Sequence, residues 1–284
     1  MSGSDHSLLS PLVTPLEIAI AAGFTSGIGT LGGLGGAIML VPLLVLTGMP
    51  VSQAAPLGLI SVVAASSAAA RRQMREHTTN HRLGVVTESA STAGAVAGAF
   101  AAGMISDVAL TYVLAAVAVV AALAGGKRKG MRWKVDERYG PDDVGEWIGT
   151  MNGAYSLNGG VVPYYPKRVG LGLLAMGISG IVTGISGVGG GFIKTPAKSE
   201  LMHVPVKVSS STTTFSIGIT AAAALLVKAV NGDVDVELAA MVVLGSLIGG
   251  QVGSLVQSKL SPPTVRKFLS VLLLVVAAIL VARA

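Results

Sequence analysis

The chain has 284 residues and a mass of 28.4 kDa, with 51% hydrophobic and 12% charged residues and a mean hydropathy of +0.72. Soluble domains carry about 25% charged residues, and half of that cannot clothe a surface that faces water. Zero cysteines exclude disulfides, thiolate metal sites and cysteine nucleophiles, and His6, His77, His81 and His203 lack the spacing of a zinc site; the formal charge of +6 comes mainly from short connections, so it reports membrane orientation rather than a nucleic-acid partner.

Residues 1–14 hold no Lys or Arg ahead of the first apolar run, so that run is expected to be retained rather than cleaved as a signal peptide. Apolar stretches follow at 16–48, 52–70, 83–105 and 108–125, then at 169–203, 207–229, 237–257 and 264–282. Stretches near 20 residues suit one crossing of a hydrocarbon layer about 30 Å thick. Between the two groups, 126–168 is polar, with Trp133, Trp147, eight Lys or Arg and five acids, and it reads as a cytoplasmic insert that serves as a structural cap. Within it, Tyr155-Ser156-Leu157 and Val161-Val162 flank Asn158-Gly159-Gly160, the pattern of a short β-hairpin whose second strand is limited by Pro163.

The two flanks of the insert repeat one another. Gly32-Gly33-Leu34-Gly35-Gly36-Ala37-Ile38, followed by Pro42 and Pro50, matches Ser186-Gly187-Val188-Gly189-Gly190-Gly191-Phe192, followed by Pro196 and Pro205. Gly94 and Gly98 match Gly245 and Gly249. Stretches 16–48 and 169–203 would each reach about 50 Å as unbroken helices, so each must break, and the glycines supply the break near mid-membrane. If all eight stretches cross, Lys and Arg divide 14 to 6 between the faces; if 16–48 and 169–203 enter and return on one face, the division is 18 to 2 and obeys the positive-inside rule far better. The expected fold is an all-α polytopic membrane protein of two inverted repeats, 1–125 and 169–284, each a Gly-rich broken or re-entrant helical hairpin plus three transmembrane helices, with both termini outside. The oligomeric state is open, a homodimer among the options.

A break in a membrane helix strands backbone N–H and C=O groups, which is tolerated where protein, water or a ligand satisfies them. Half-helices starting near Gly36 and Gly190 would aim partial positive charge at the membrane centre, which suits an oxyanion, and Lys194 adds a full charge one turn on. Gly33, Gly35, Gly36, Gly189, Gly190, Gly191 and Lys194 are therefore substrate-binding candidates, close helix packing being the alternative for the glycines. For Gly94, Gly98, Gly245, Gly249 and Gly253 packing is the preferred reading. In the hydroxyl run from Ser209 to Ser216, Thr212, Thr213 and Thr214 are candidate donors to the anion, and bonding to their own backbone is the alternative. Glu88, inside an otherwise apolar stretch, is the candidate for coupling to H+; pairing with Arg82 or access to water is the alternative. Lys198, Glu200 and His203 are expected to be solvated. No cofactor motif, metal-ligand group or Ser/His/Asp set is legible, and the glycine cluster lacks the Gly-Lys-Ser/Thr ending of a phosphate loop, so an enzyme is not expected.

Gly189-Gly190-Gly191-Phe192-Ile193-Lys194 with Pro196, Pro205, Lys207-Val208 and Phe215-Ser216-Ile217-Gly218 carry a resemblance to the sulfite exporter TauE/SafE family of membrane anion permeases. The likeness covers 16–125 and 169–283. It implies transport of sulfite, a sulfonate or a related small organosulfur anion across the cell membrane, driven by an ion gradient, through alternating access; a passive anion channel is the second reading. The family's hydroxyl position after each hairpin falls on Thr212, Thr213 and Thr214 in the second copy, while the first copy has Pro56-Leu57-Gly58. Lys198-Ser199-Glu200 stands where the family is mainly apolar.

Overall fold

The computed structural model describes residues 14–32, 37–75, 77–126, 133–157, 159–257 and 262–283. The helices in chain order are α1 Pro15–Gly32, α2 Ala37–Leu46, α3 Val51–Arg75, α4 His81–Ala102 and α5 Asp107–Gly126, then α6 Val169–Ser186, α7 Gly191–Pro196, α8 Val206–Val230, α9 Val236–Gln257 and α10 Pro262–Arg283. The all-α polytopic reading holds. Among the described residues four helices are long and apolar enough to cross a membrane, within α3, α6, α8 and α9.

Local chemistry sets the helix ends. Asn80 is extended and its Oδ1 accepts from Leu83 N at 2.8 Å, which starts α4. Asp107 opens α5 yet accepts from Ser52 N at 2.9 Å, satisfying a free donor in the first turn of α3. Asp235 accepts from Glu237 N and Leu238 N ahead of α9. Gly187, at φ +69°, ends α6 in a left-handed turn, its N–H donating to Thr183 O.

The second long stretch is broken, as its length requires. It consists of α6, a turn over 187–190, α7 and a π-helical turn Ala197–Leu201. The break expected in the first, at 33–36, lies outside the described residues. The pieces are unequal, α1 and α6 being 18 residues each, about 27 Å, while α2 has 10 residues and α7 has 6. The second turn comes late because the glycine run itself comes late. Gly187 lies against Ala55, one turn into α3, and Gly189 against Val62 near the middle of that helix and Ile217 of α8. The segment then comes back: Lys167 N donates to Met202 O at 2.8 Å, so its two ends meet on one face of the bundle.

Packing repeats between the halves. α1 lies along α9 as α6 lies along α4, α3 touches α9 as α8 touches α4, and α2 meets α10 as α7 meets α5, with α3 and α8 in contact at the centre. Glycines make the first two seams possible. A Cβ on Gly245, Gly249 or Gly253 would run into the backbone of Ala19, Gly23 or Gly27, and one on Gly180 or Gly184 into that of Ser91 or Ala95. Residue numbers rise together along both seams, so each is a parallel pair. Gly94, Gly98, Gly245, Gly249 and Gly253 thus serve close packing. Outward faces carry apolar rows such as Leu16, Ile20 and Phe24 on α1 or Leu244, Ile248 and Val252 on α9, while Ser26, Ser61, Ser91, Thr183 and Thr220 are buried. That distribution suits lipid outside and polar contacts between helices inside.

The polar insert adds β1 Gly145–Glu146, β2 Gly153–Leu157 and β3 Gly160–Tyr164, an antiparallel sheet in the order β1-β2-β3. The expected hairpin is present with Leu157 opposite Gly160; Asn158 lies outside the described residues. Pro163 sits on the edge strand β3, where its missing N–H is tolerated. The insert caps the bundle: Asn80 Nδ2 donates to Met151 O and Tyr164 Oη, and Glu146 accepts from His81 N and Arg82 N. Beneath it Leu83, Tyr155, Val162, Tyr164, Met202 and Val208 form a second apolar core. Burial pushes the Tyr164 phenol up to about 12, so it stays protonated at neutral pH.

Candidate functional site

Three elements converge on one buried polar cluster. α7 and its π-helical continuation carry Lys194 and Lys198, four residues apart and therefore on one face. α4 brings Glu88 and Ser91, and α8 brings Thr213 and Thr220. Lys194 Nζ bonds Glu88 Oε1 and reaches Thr220 Oγ1 at 2.8 Å. Thr220 Oγ1 bonds the same carboxylate oxygen and lies 3.1 Å from Ser91 Oγ. Glu88 Oε2 is buried with no hydrogen-bond partner, as is Thr195 Oγ1.

Lys198 is different. Its side chain is fully buried, and among the described residues its ammonium makes one hydrogen bond, to Thr213 Oγ1 at 3.3 Å, and no ion pair. The expectation that Lys198 is solvated is therefore wrong. The helix does not stop at Pro196 but continues as a π-helical turn, which keeps Lys198 on the inward face with Lys194. Glu200 is exposed and His203 half-buried, nearer to that expectation.

A narrow cleft of about 10 Å³, room for one water, lies beside Thr213, walled by Thr30 of α1, Val62, Ala65 and Ser66 of α3 and Thr214 and Ile217 of α8. Gly189 abuts the cleft wall, since a Cβ there would meet Val62 and Ile217. Gly190 is wedged under α6: its carbonyl accepts from Ser179 Oγ at 3.0 Å. Gly190 O also accepts from Ile193 N and Lys194 N, and Gly191 opens α7. Gly33, Gly35 and Gly36 lie outside the described residues.

The three threonines part company. Thr212 Oγ1 accepts from Asn80 N at 3.0 Å, holding the start of α4. Thr213 faces Lys198. Thr214 Oγ1 donates to its own helix at Ser210 O, as the backbone-bonding alternative has it. Glu88 pairs not with Arg82 but with Lys194, 106 residues away.

The family profile described as sulfite exporter TauE/SafE matches residues 18–280. The chain belongs to the TauE/SafE sulfite exporter family. It is similar to the probable membrane transporter protein YunE of Bacillus subtilis (strain 168), 22% identical over 274 residues that cover 91% of this chain and 94% of that protein. No solved structure matches. Family membership makes the chain a permease-type membrane transporter.

For a transporter, the charge distribution matters most. Two ammonium groups, Lys194 and Lys198, stand against one carboxylate, Glu88, so with all three ionised the cluster carries one net positive charge. The equivalent place in the first half is neutral: α2 has Leu40 and Leu44 at its fourth and eighth positions, where the second half has Lys194 and Lys198. Elsewhere in the bundle Ser61 bonds both Ser26 and Ser246 at 2.9 Å. Thr220 and Ser91 escaped the sequence reading although spacing pointed to them, Thr220 two turns after Thr213 and Ser91 three residues after Glu88.

Proposed function

We propose that this transporter carries a small organosulfur oxyanion, such as sulfite or a sulfonate, across the cell membrane by alternating access, coupled to H+ through Glu88. The observation that carries the reading is the buried cluster with a surplus ammonium beside the second glycine turn. A buried cation without a counter-charge is costly, and a passing anion supplies the missing charge. Substrate then meets Lys194 and Thr213 together with backbone at Gly189, Gly190 and Gly191, and at Gly33, Gly35 and Gly36 in the first copy. A carrier is favoured over a passive channel because the cleft beside Thr213 admits only about one water.

In the membrane we assign 16–48 and 169–203 as re-entrant hairpins, the repeats as inverted, the insert as cytoplasmic and both termini as outside. The bond between Lys167 and Met202 supports re-entry of the second hairpin, and the parallel course of α3 and α9, with Ser61 on Ser246 and Ala65 against Gly250, supports inversion, because eight full crossings would set these helices antiparallel. The 18-to-2 division of basic residues supports the orientation.

The test is uptake of labelled sulfite into proteoliposomes with and without an imposed pH gradient. Wild type is expected to accumulate the anion against its gradient, Lys194→Ala to lose uptake, and Glu88→Gln to lose the response to pH. Currents without accumulation would replace the carrier by a channel, and full pH-driven uptake by Glu88→Gln would remove the coupling role.

A further inference from the structure

The geometry points to Lys198, with Thr213, as the group that holds the substrate's charge, and to a site that admits one negative charge: a monovalent sulfonate or bisulfite in preference to a dianion. This rests on the anion-transport reading above and deepens it. Lys194 already has its counter-charge in Glu88 and a hydroxyl acceptor in Thr220. Lys198 has only Thr213. Thr195, one turn before Lys198, keeps a buried hydroxyl with no partner, a second donor free to meet an anion.

The count is closed by what else is buried. Among the described residues the buried Lys, Arg, Asp and Glu side chains are Glu88, Lys194, Lys198 and Lys228. Lys228 lies at the far end of α8, 3.5 Å from Asp233. One negative charge beside Lys198 brings the cluster to neutrality, whereas two leave a net negative charge in a low-dielectric interior, which is disfavoured. Lys198 lies one turn beyond Lys194, which is paired with Glu88, so the carboxylate acts on the same charge cluster and removing it shifts the preference toward dianions.

The experiment measures binding of methanesulfonate, always monovalent, and sulfate, always divalent near neutral pH, to the purified full chain in nanodiscs, with sulfite as reference. Wild type is expected to favour methanesulfonate by at least about tenfold. Lys198→Gln and Thr213→Val weaken methanesulfonate binding, the former by about tenfold or more. Glu88→Gln moves the methanesulfonate-to-sulfate ratio toward sulfate by about tenfold. If Lys198→Gln does not fold, Thr213→Val and the ratio in Glu88→Gln decide. Unchanged methanesulfonate binding in folded Lys198→Gln or in Thr213→Val, or an unchanged ratio in Glu88→Gln, overturns the assignment and leaves anion transport standing. A wild type that binds none of the three anions overturns both.

Discussion

Lys194 and Glu88 are individually unusual for a membrane interior and make sense only as a pair. Removing one leaves the other buried and unpaired, at a cost of about 3–5 kcal/mol. Lys194→Met is therefore expected to lower thermal stability in detergent more than the double change Glu88→Gln, Lys194→Met, which removes both charges; equal losses would show that the pair is not coupled. Thr212 and Thr214, two residues apart, separate a structural contact from a self-contained one. Thr212→Val strips Asn80 N of its acceptor, and about 1–3 kcal/mol of stability should go with it. Thr214→Val, which ends a bond to its own helix, is expected to stay within about 0.5 kcal/mol. A comparison of their melting temperatures checks both values. Sequence alone marked the hydroxyl run as a unit, since which hydroxyl faces α4, which faces Lys198 and which turns back depends on how α8 is rotated among its neighbours.

At the level of the helix, glycine has two distinct uses that composition does not separate. Along the α1/α9 and α4/α6 seams it lets backbones touch, and at Gly187 it also supplies a left-handed φ. Gly180→Val, whose side chain would enter the backbone of Ser91, is expected to abolish the folded monodisperse protein on size-exclusion chromatography. Gly170→Ala, with open space around its Cβ, should be neutral or stabilising by up to about 1 kcal/mol. Spacing in fours made the seam glycines legible. The position of the second turn was legible as well, because the glycine run that follows Ser186 is where α6 ends. Periodicity did not reveal that the helix resumes through Pro196 as a π-helical turn, the event that turns Lys198 inward.

Across the whole molecule, the two halves use one packing scheme and the buried charged cluster joins them, Glu88 coming from the first half and Lys194 and Lys198 from the second. The proposed topology has a direct test, because zero native cysteines allow single-cysteine labelling without background. Ile148→Cys, on the exposed insert, and Asn231→Cys, in the exposed turn after α8, lie on opposite faces if both hairpins are re-entrant and on the same face if all eight stretches cross. A membrane-impermeant maleimide is expected to label position 231 in intact cells and position 148 only after permeabilisation. Labelling of both positions to the same extent in intact cells would refute re-entry.

Composition and hydrophobic run length, by themselves, determined that the chain is a helical membrane protein and that a segment as long as 169–203 must break, because lipid tolerates few other ways to satisfy a backbone. The small β-hairpin was legible for the same local reason, a turn sequence between alternating strands. Only the tertiary structure decided that Glu88 meets Lys194, that Thr220 and Ser91 join them, and that Lys198 is buried beside Thr213 without a carboxylate. Those contacts join α4, α7 and α8 over separations of up to 132 residues, and no local pattern encodes the rotation of one helix against another.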